Sequence, residues 1–95
     1  MSETGKHTAV ITVIGQDQVG IIARVSTLLA DMQININDIS QTIMQDVFTM
    51  IMLVDLEKMN ADIKQLADRL EQLGHEMGLS IRVQHSDIFD AMHRI

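Results

Sequence analysis

The chemistry this chain could do is concentrated in seven residues, Gly15-Gln16-Asp17-Gln18-Val19-Gly20-Ile21. They join a run of strand character, Thr8–Ile14, to a run of helical periodicity, Ile21–Met32. A strand that feeds a helix N-terminus leaves backbone N–H groups without acceptors, and these groups suit a carboxylate or phosphate. Val19, Gly20 and Ile21 would supply such N–H groups. Gly15 and Gly20 let a ligand approach the backbone closely, or simply permit a tight turn. Asp17 could accept a hydrogen bond from a ligand ammonium, but its residue type and position favour capping the helix or forming an Asx-turn, and the two roles can coexist. Asn35 both donates and accepts, so it can read an amino or carboxylate group; its alternative role is to stabilise an irregular strand.

Other chemistries find less support. His85, Asp87, Asp90 and His93 lie close in sequence, and the last two are one helical turn apart, but they match no established metal motif. Cysteine is absent, which excludes disulfides, thiolate metal sites and a metal carrier built on a Cys pair in the first loop. No serine is paired with a base at a recognisable spacing. A phosphate hydrolase of the acylphosphatase type would need an arginine in the first loop, where Gln16, Asp17, Gln18 and Val19 stand. The residues therefore imply neither catalysis nor a cofactor.

Bulk properties narrow the class further. The 95 residues suit one small domain, and 46% apolar content is enough for a packed core. The net charge of −6, with two phenylalanines and no tyrosine or tryptophan, argues against a nucleic-acid surface. No apolar run is long enough to span a bilayer, and the polar start, residues 1–7, lacks the core of a signal peptide. These features are expected of a cytoplasmic protein.

Periodicity places the elements that must position the loop. Ile21, Ile22, Val25, Leu28, Leu29 and Met32 form one helical stripe, with Arg24 and Asp31 off it. From Ile34 to Met44 the chain reads as extended. Ile34/Ile36 and Ile39/Ile43 are out of phase, however, which predicts a bulge near Asn37-Asp38. Gln45-Asp46 is a candidate tight turn into the strand Val47–Val54, which is apolar on both faces. A strand with one wet face should alternate, so this one predicts a cover on each side, the second from another subunit. Asn60 is the expected N-cap of a second helix whose stripe is Ile63, Leu66, Ala67, Leu70, Leu73 and Met77. Gly78 suits its end, although Gly74 could stop it earlier. Leu79–His85 alternates as a last strand, and residues 86–95 carry Ile88, Phe89, Met92 and Ile95 at the spacing of a short final helix. The methionines read mainly as core filler, with an adaptable binding face as the alternative. The order β-α-β-β-α-β predicts an α+β, ferredoxin-like sandwich: one antiparallel sheet with two helices on one side.

The block Ala9–Ser26 resembles the start of an ACT domain, and Ile34–Ile43 resembles its second strand. The ending, Asp87–Ile95, resembles that of the stand-alone single-ACT UPF0237 group, which is similar to the modules of the glycine cleavage system regulator. The resemblance implies one ACT-like domain over residues 8–95 after a flexible tail of residues 1–7. It also implies a homodimer or higher even oligomer made by edge pairing, and a regulatory rather than enzymatic role. An amino-acid ligand would sit at the interface, between Gly15, Asp17, Gly20 and Ile21 of one chain and Asn35 of another. The alternative is a protein-interaction module with no small ligand.

Overall fold

The computed structural model describes residues 7–85. The elements are β1 (Thr8–Gln16), α1 (Ile21–Asp31), β2 (Asn35–Met44), β3 (Val47–Asp55), α2 (Ile63–Met77) and β4 (Leu79–His85). The four strands form one antiparallel sheet in the order β2-β3-β1-β4, so β1 and β3 are central and β2 and β4 are edges. This is the expected ferredoxin-like arrangement. The expected C-terminal helix and the Asp87, Asp90 and His93 part of the histidine cluster lie outside the described residues.

The core forms where the two helices meet one side of the sheet. Ala9, Ile11 and Val13 of β1 and Phe48, Met50, Met52 and Val54 of β3 pack there with Val25 and Leu29 of α1 and Leu66 and Leu70 of α2. Alternation along a strand sends every second side chain to the other side. Met50 and Met52 are fully buried, in agreement with the core reading of the methionines. Ile22 departs from its expected stripe: it is 40% exposed, at the margin of the face that Ile21, Val25, Leu28 and Leu29 bury.

The two described helices cover one face of the sheet. Cross-strand rows on the open side are Asp38–Leu53–Val10–Gln84, then Ser40–Ile51–Thr12–Arg82, then Thr42–Thr49–Ile14–Ser80. Val47, Ile51 and Leu53 of β3 and Ile14 of β1 are exposed there. The doubly apolar β3 thus has one side in the core and the other facing outward.

The connections follow from local backbone chemistry. Gly20, at φ 92°, turns the chain from β1 into α1 in a left-handed conformation that favours glycine. In β2 the register slips between Ile36 and Asp38, which leaves Asn37 as the extra residue of the expected bulge. Gln45 and Asp46 have φ of 53° and 71°, the paired positive values of a two-residue hairpin turn whose twist matches its strands. Asp tolerates this region because its short side chain can hydrogen-bond locally.

The second helix begins later than expected. Asp62, not Asn60, is the N-cap: its carboxylate accepts from the Gln65 N–H at 2.8 Å, and the Gln65 side chain accepts from the Asp62 N–H at 3.0 Å. This reciprocal pair is a capping box. Asn60 instead ties the connection to the end of α1, donating its backbone N–H to the Met32 carbonyl and its side chain to the Asp31 carbonyl. Gly74 lies within α2 and does not end it. A Cβ there would sit 2.5 Å from the Leu79 carbonyl, so glycine lets the helix approach the start of β4. Gly78, at φ 71°, makes the stop.

Asp62→Ala is expected to cost about 0.5–2 kcal/mol of stability, and Asn60→Ala less, in chemical denaturation; the reverse order would contradict the cap assignment. Gly74→Ala normally favours a helix, yet here the close backbone contact should reverse the sign and cost about 1–3 kcal/mol. A stabilised Gly74→Ala protein would show that α2 and β4 do not meet this closely.

Candidate functional site

The β1–α1 loop sits at the end of the sheet where β1 and β2 finish, beside the β2–β3 turn. The Asp17 N–H donates to the Asp46 carbonyl at 2.8 Å, which fastens the loop to that turn. On the other side, Gln18 Nε2 donates to the Met77 carbonyl at 2.9 Å, at the C-terminal end of α2. The loop is therefore braced from two directions. Neither brace was visible in the sequence, because the Gln18 partner is 59 residues away and both acceptors are backbone carbonyls.

Between those braces the helix N-terminus is open. Gly20 is the N-cap of α1, with no side-chain cap and no acidic residue in the first turn. The Arg24 N–H makes the first helical bond, to the Gly20 carbonyl at 2.9 Å. The N–H groups ahead of it have no intrahelical acceptor, and the helix dipole adds partial positive charge where they point. Asp17 does not cap this helix, contrary to the role that its residue type and position favoured. Its exposed carboxylate makes no hydrogen bond or ion pair among the described residues. Val19 is 99% exposed, whereas Ile21 is 2% exposed and anchors the helix start in the core.

Gly15 has a structural reason to be small. An added Cβ would meet the Leu79 side chain and would lie 3.2 Å from the Leu79 Cα and 3.3 Å from the Gly78 carbonyl. Gly20 differs, since a Cβ there would meet nothing within 4 Å. Of the two loop glycines, then, Gly15 serves strand packing and Gly20 serves the turn, with open space beside it.

Asn35 lies at the opposite end of β2, paired with Asp55. Nine steps along a strand amount to roughly 30 Å, so one chain does not bring Asn35 to its own loop. The Asn35 side chain spans the bulge, with Nδ2 donating to Asn37 Oδ1 at 3.0 Å, while Asn35 Oδ1 takes no part in that bond. Around it is a hollow of about 360 Å³ lined by Gln33, Asn35, Asp55, Glu57 and Lys58. A second hollow of about 400 Å³ runs between the helices, bordered by the Arg24–Glu76 ion pair at 2.7 Å. Both partners of that pair are half exposed, so its contribution to stability is small. Among the described residues, no group of three or more histidine or acidic side chains is placed to hold a metal. No described helix is long and apolar enough to cross a membrane.

This geometry can be set beside known proteins. The ACT domain family profile matches residues 7–84. A UPF0237 protein of Methanococcus maripaludis is 56% identical over 89 residues, covering 94% of this chain and 99% of that one. Among solved structures, an ACT domain protein from Streptococcus pneumoniae superposes with a TM-score of 0.77 at 37% identity, over 88% of this chain and 94% of that one. A protein assigned as a glycine cleavage system transcriptional repressor superposes with a TM-score of 0.73 at 27% identity, over 82% of this chain and 44% of the other. By profile, sequence and fold together, the chain belongs to the ACT domain family and, within it, to the UPF0237 group.

Proposed function

We propose that this protein is a non-enzymatic regulatory module that binds an amino acid or a related small metabolite between two copies of itself. The observation that carries this reading is the position of β2. It is an edge strand of ten residues, Asn35–Met44, with neither proline nor lysine to discourage pairing. Ile39, Ile43 and Met44 are 41%, 51% and 67% exposed on it. Antiparallel pairing of two such edges about an axis near Ile39–Ser40 sets Asn35 of one copy opposite Met44 of the partner subunit. Met44 leads directly into the turn that holds the loop. The 30 Å separation within one chain then shrinks to three strand spacings between two, roughly 14 Å from Asn35 to the end of the partner's β1.

In that arrangement the two ends of an amino acid have complementary receptors. The carboxylate faces the N–H groups around Val19, Gly20 and Ile21, where the helix dipole favours negative charge. The ammonium faces the Asp17 carboxylate of that loop, which has no partner among the described residues, and the Asn35 Oδ1 of the other copy, which takes no part in the bond across the bulge. The kinship to a transcriptional repressor of an amino-acid cleavage system supports a regulatory role.

A second reading, a protein-interaction module without a small ligand, draws on the open sheet face, where Ile14, Val47, Ile51 and Leu53 are exposed. A thermal-shift screen against amino acids separates the two readings, because a ligand that binds only the folded state raises the midpoint.

Sedimentation at micromolar concentration is expected to show a dimer or higher even oligomer, and a clean monomer would remove the interfacial site. Asn35→Ala should weaken the amino acid found by the screen by about three- to tenfold in calorimetric titration, corresponding to roughly 0.5–1.5 kcal/mol. Asp17→Asn should weaken it similarly while leaving the melting curve unchanged, since its side chain holds nothing in the fold. Two folded variants that bind like the wild type would place the ligand elsewhere.

A further inference from the structure

We propose, resting on the interfacial reading above, that the ligand is an amino acid with an uncharged aliphatic side chain, of the valine, leucine and isoleucine class. A strip of isoleucines on the helix side of the molecule stays wet although the core is next to it: Ile22 is 40% exposed, Ile39 41% and Ile43 51%. Ile39 and Ile43 pair with Met52 and Phe48, whose side chains are in the core, so they lie on the helix side of the sheet and not on its open face. They remain exposed because α1 links β1 to β2 across the intervening β3, which leaves the edge strand bare.

Ile22 belongs to the same strip. On α1, Ala23, Arg24, Thr27 and Asp31 border the hollow towards α2, and Val25 and Leu29 enter the core. Ile22 and Ser26, one helical turn apart, lie on the opposite flank, towards β2. The helix runs against the direction of β2, so Ile22 lies at the Met44 end of that strand, alongside Ile43.

Edge pairing turns this strip into the floor and wall of a groove. With Asn35 opposite Met44 of the partner subunit, Ile43 comes beside Ile36 of the partner subunit, one step further in. The two α1 helices lie over the two β3 strands, three strand spacings apart, or roughly 14 Å. Helices in direct contact sit about 8–10 Å apart. The two helices therefore do not close over the paired edges, and a groove about one side chain wide remains between them.

The carboxylate receptor opens into this groove. The Arg24 N–H is the first to find a helical acceptor, so the Ile22 N–H is among the groups left for the carboxylate. An amino acid held there carries its side chain past that of Ile22, towards Ile43 and towards Ile36 of the partner subunit. The described side chains along the strip, Ile22, Ser26, Ile39, Gln41 and Ile43, include no charge. A lysine or glutamate side chain would lose water there without an opposite charge beside it. Glycine would leave the isoleucines wet. A branched aliphatic side chain removes its own apolar surface and that of the isoleucines from water together.

Calorimetric titration of the full chain with single amino acids tests this. Leucine, isoleucine or valine should bind at least about tenfold tighter than glycine, serine, glutamate or lysine. Ile22→Ala keeps a good helix former at a partly exposed position. It should cut that preference by about threefold or more, with sedimentation and melting curve close to those of the natural protein. Ile43→Thr, which suits a strand, repeats the test from the other wall should Ile22→Ala unfold. Glycine or a charged amino acid binding as tightly as leucine would overturn the aliphatic assignment and leave the interfacial site standing. Leucine binding that neither variant weakens in an intact oligomer would do the same. Failure of every amino acid to bind would overturn the interfacial reading and this assignment with it.

Discussion

Two helices can cover only one face of a four-stranded sheet, yet β3 is apolar on both. The rest of the molecule follows from that mismatch. The covered side holds a core in which Ile11, Met50, Met52, Leu66 and Leu70 lose essentially all contact with water. Burial of apolar surface at about 25 cal/mol per Å² makes this side the main source of stability. The opposite side keeps Ile14, Val47, Ile51 and Leu53 exposed, and it is there that a further layer has something to gain. Edges and faces thus divide the available interactions: β2 offers backbone groups, and the open face offers apolar side chains.

The loop owes its shape to a different constraint. Its backbone must leave β1, pass the β2–β3 turn and enter α1 within four residues, 17–20. Gly20 supplies the left-handed turn, and the contacts to Asp46 and Met77 hold the loop from either side. Because the cap position carries glycine and not a side-chain acceptor, the first turn of α1 keeps its N–H groups free. A serine or aspartate there would satisfy the donors internally. The site proposed at the interface rests on this unfilled capacity and on the separation of Asn35 from the loop.

Much of the fold could be read from periodicity alone. The phase slip between Ile34/Ile36 and Ile39/Ile43 located the bulge, and the pair Gln45-Asp46 located the hairpin turn despite its lack of glycine. Features set by distant partners were not legible. Asn60 and Asp62 are equally good caps by residue type; the structure favours Asp62 because Asn60 is drawn to the end of α1, and Gln65 completes the box. Gly74 looked like a stop signal because sequence cannot show how closely β4 passes the helix. At the site, the residue types in the loop suggested an anion receptor, but the bracing by Gln18 and the role of Asn35 across the bulge depend on three-dimensional neighbours.

The central claim is that β2 is the edge through which two copies meet and enclose a ligand. Residue-resolved amide hydrogen exchange, recorded above and below the concentration at which the oligomer dissociates, tests it most directly. Unpaired edge N–H groups exchange readily, whereas paired ones are protected. The account predicts that protection of Asn35–Met44 rises with association, and that an amino-acid ligand adds protection around Val19–Ile21. Protection that rises instead along Leu79–His85, or that leaves β2 unchanged on association, would contradict it.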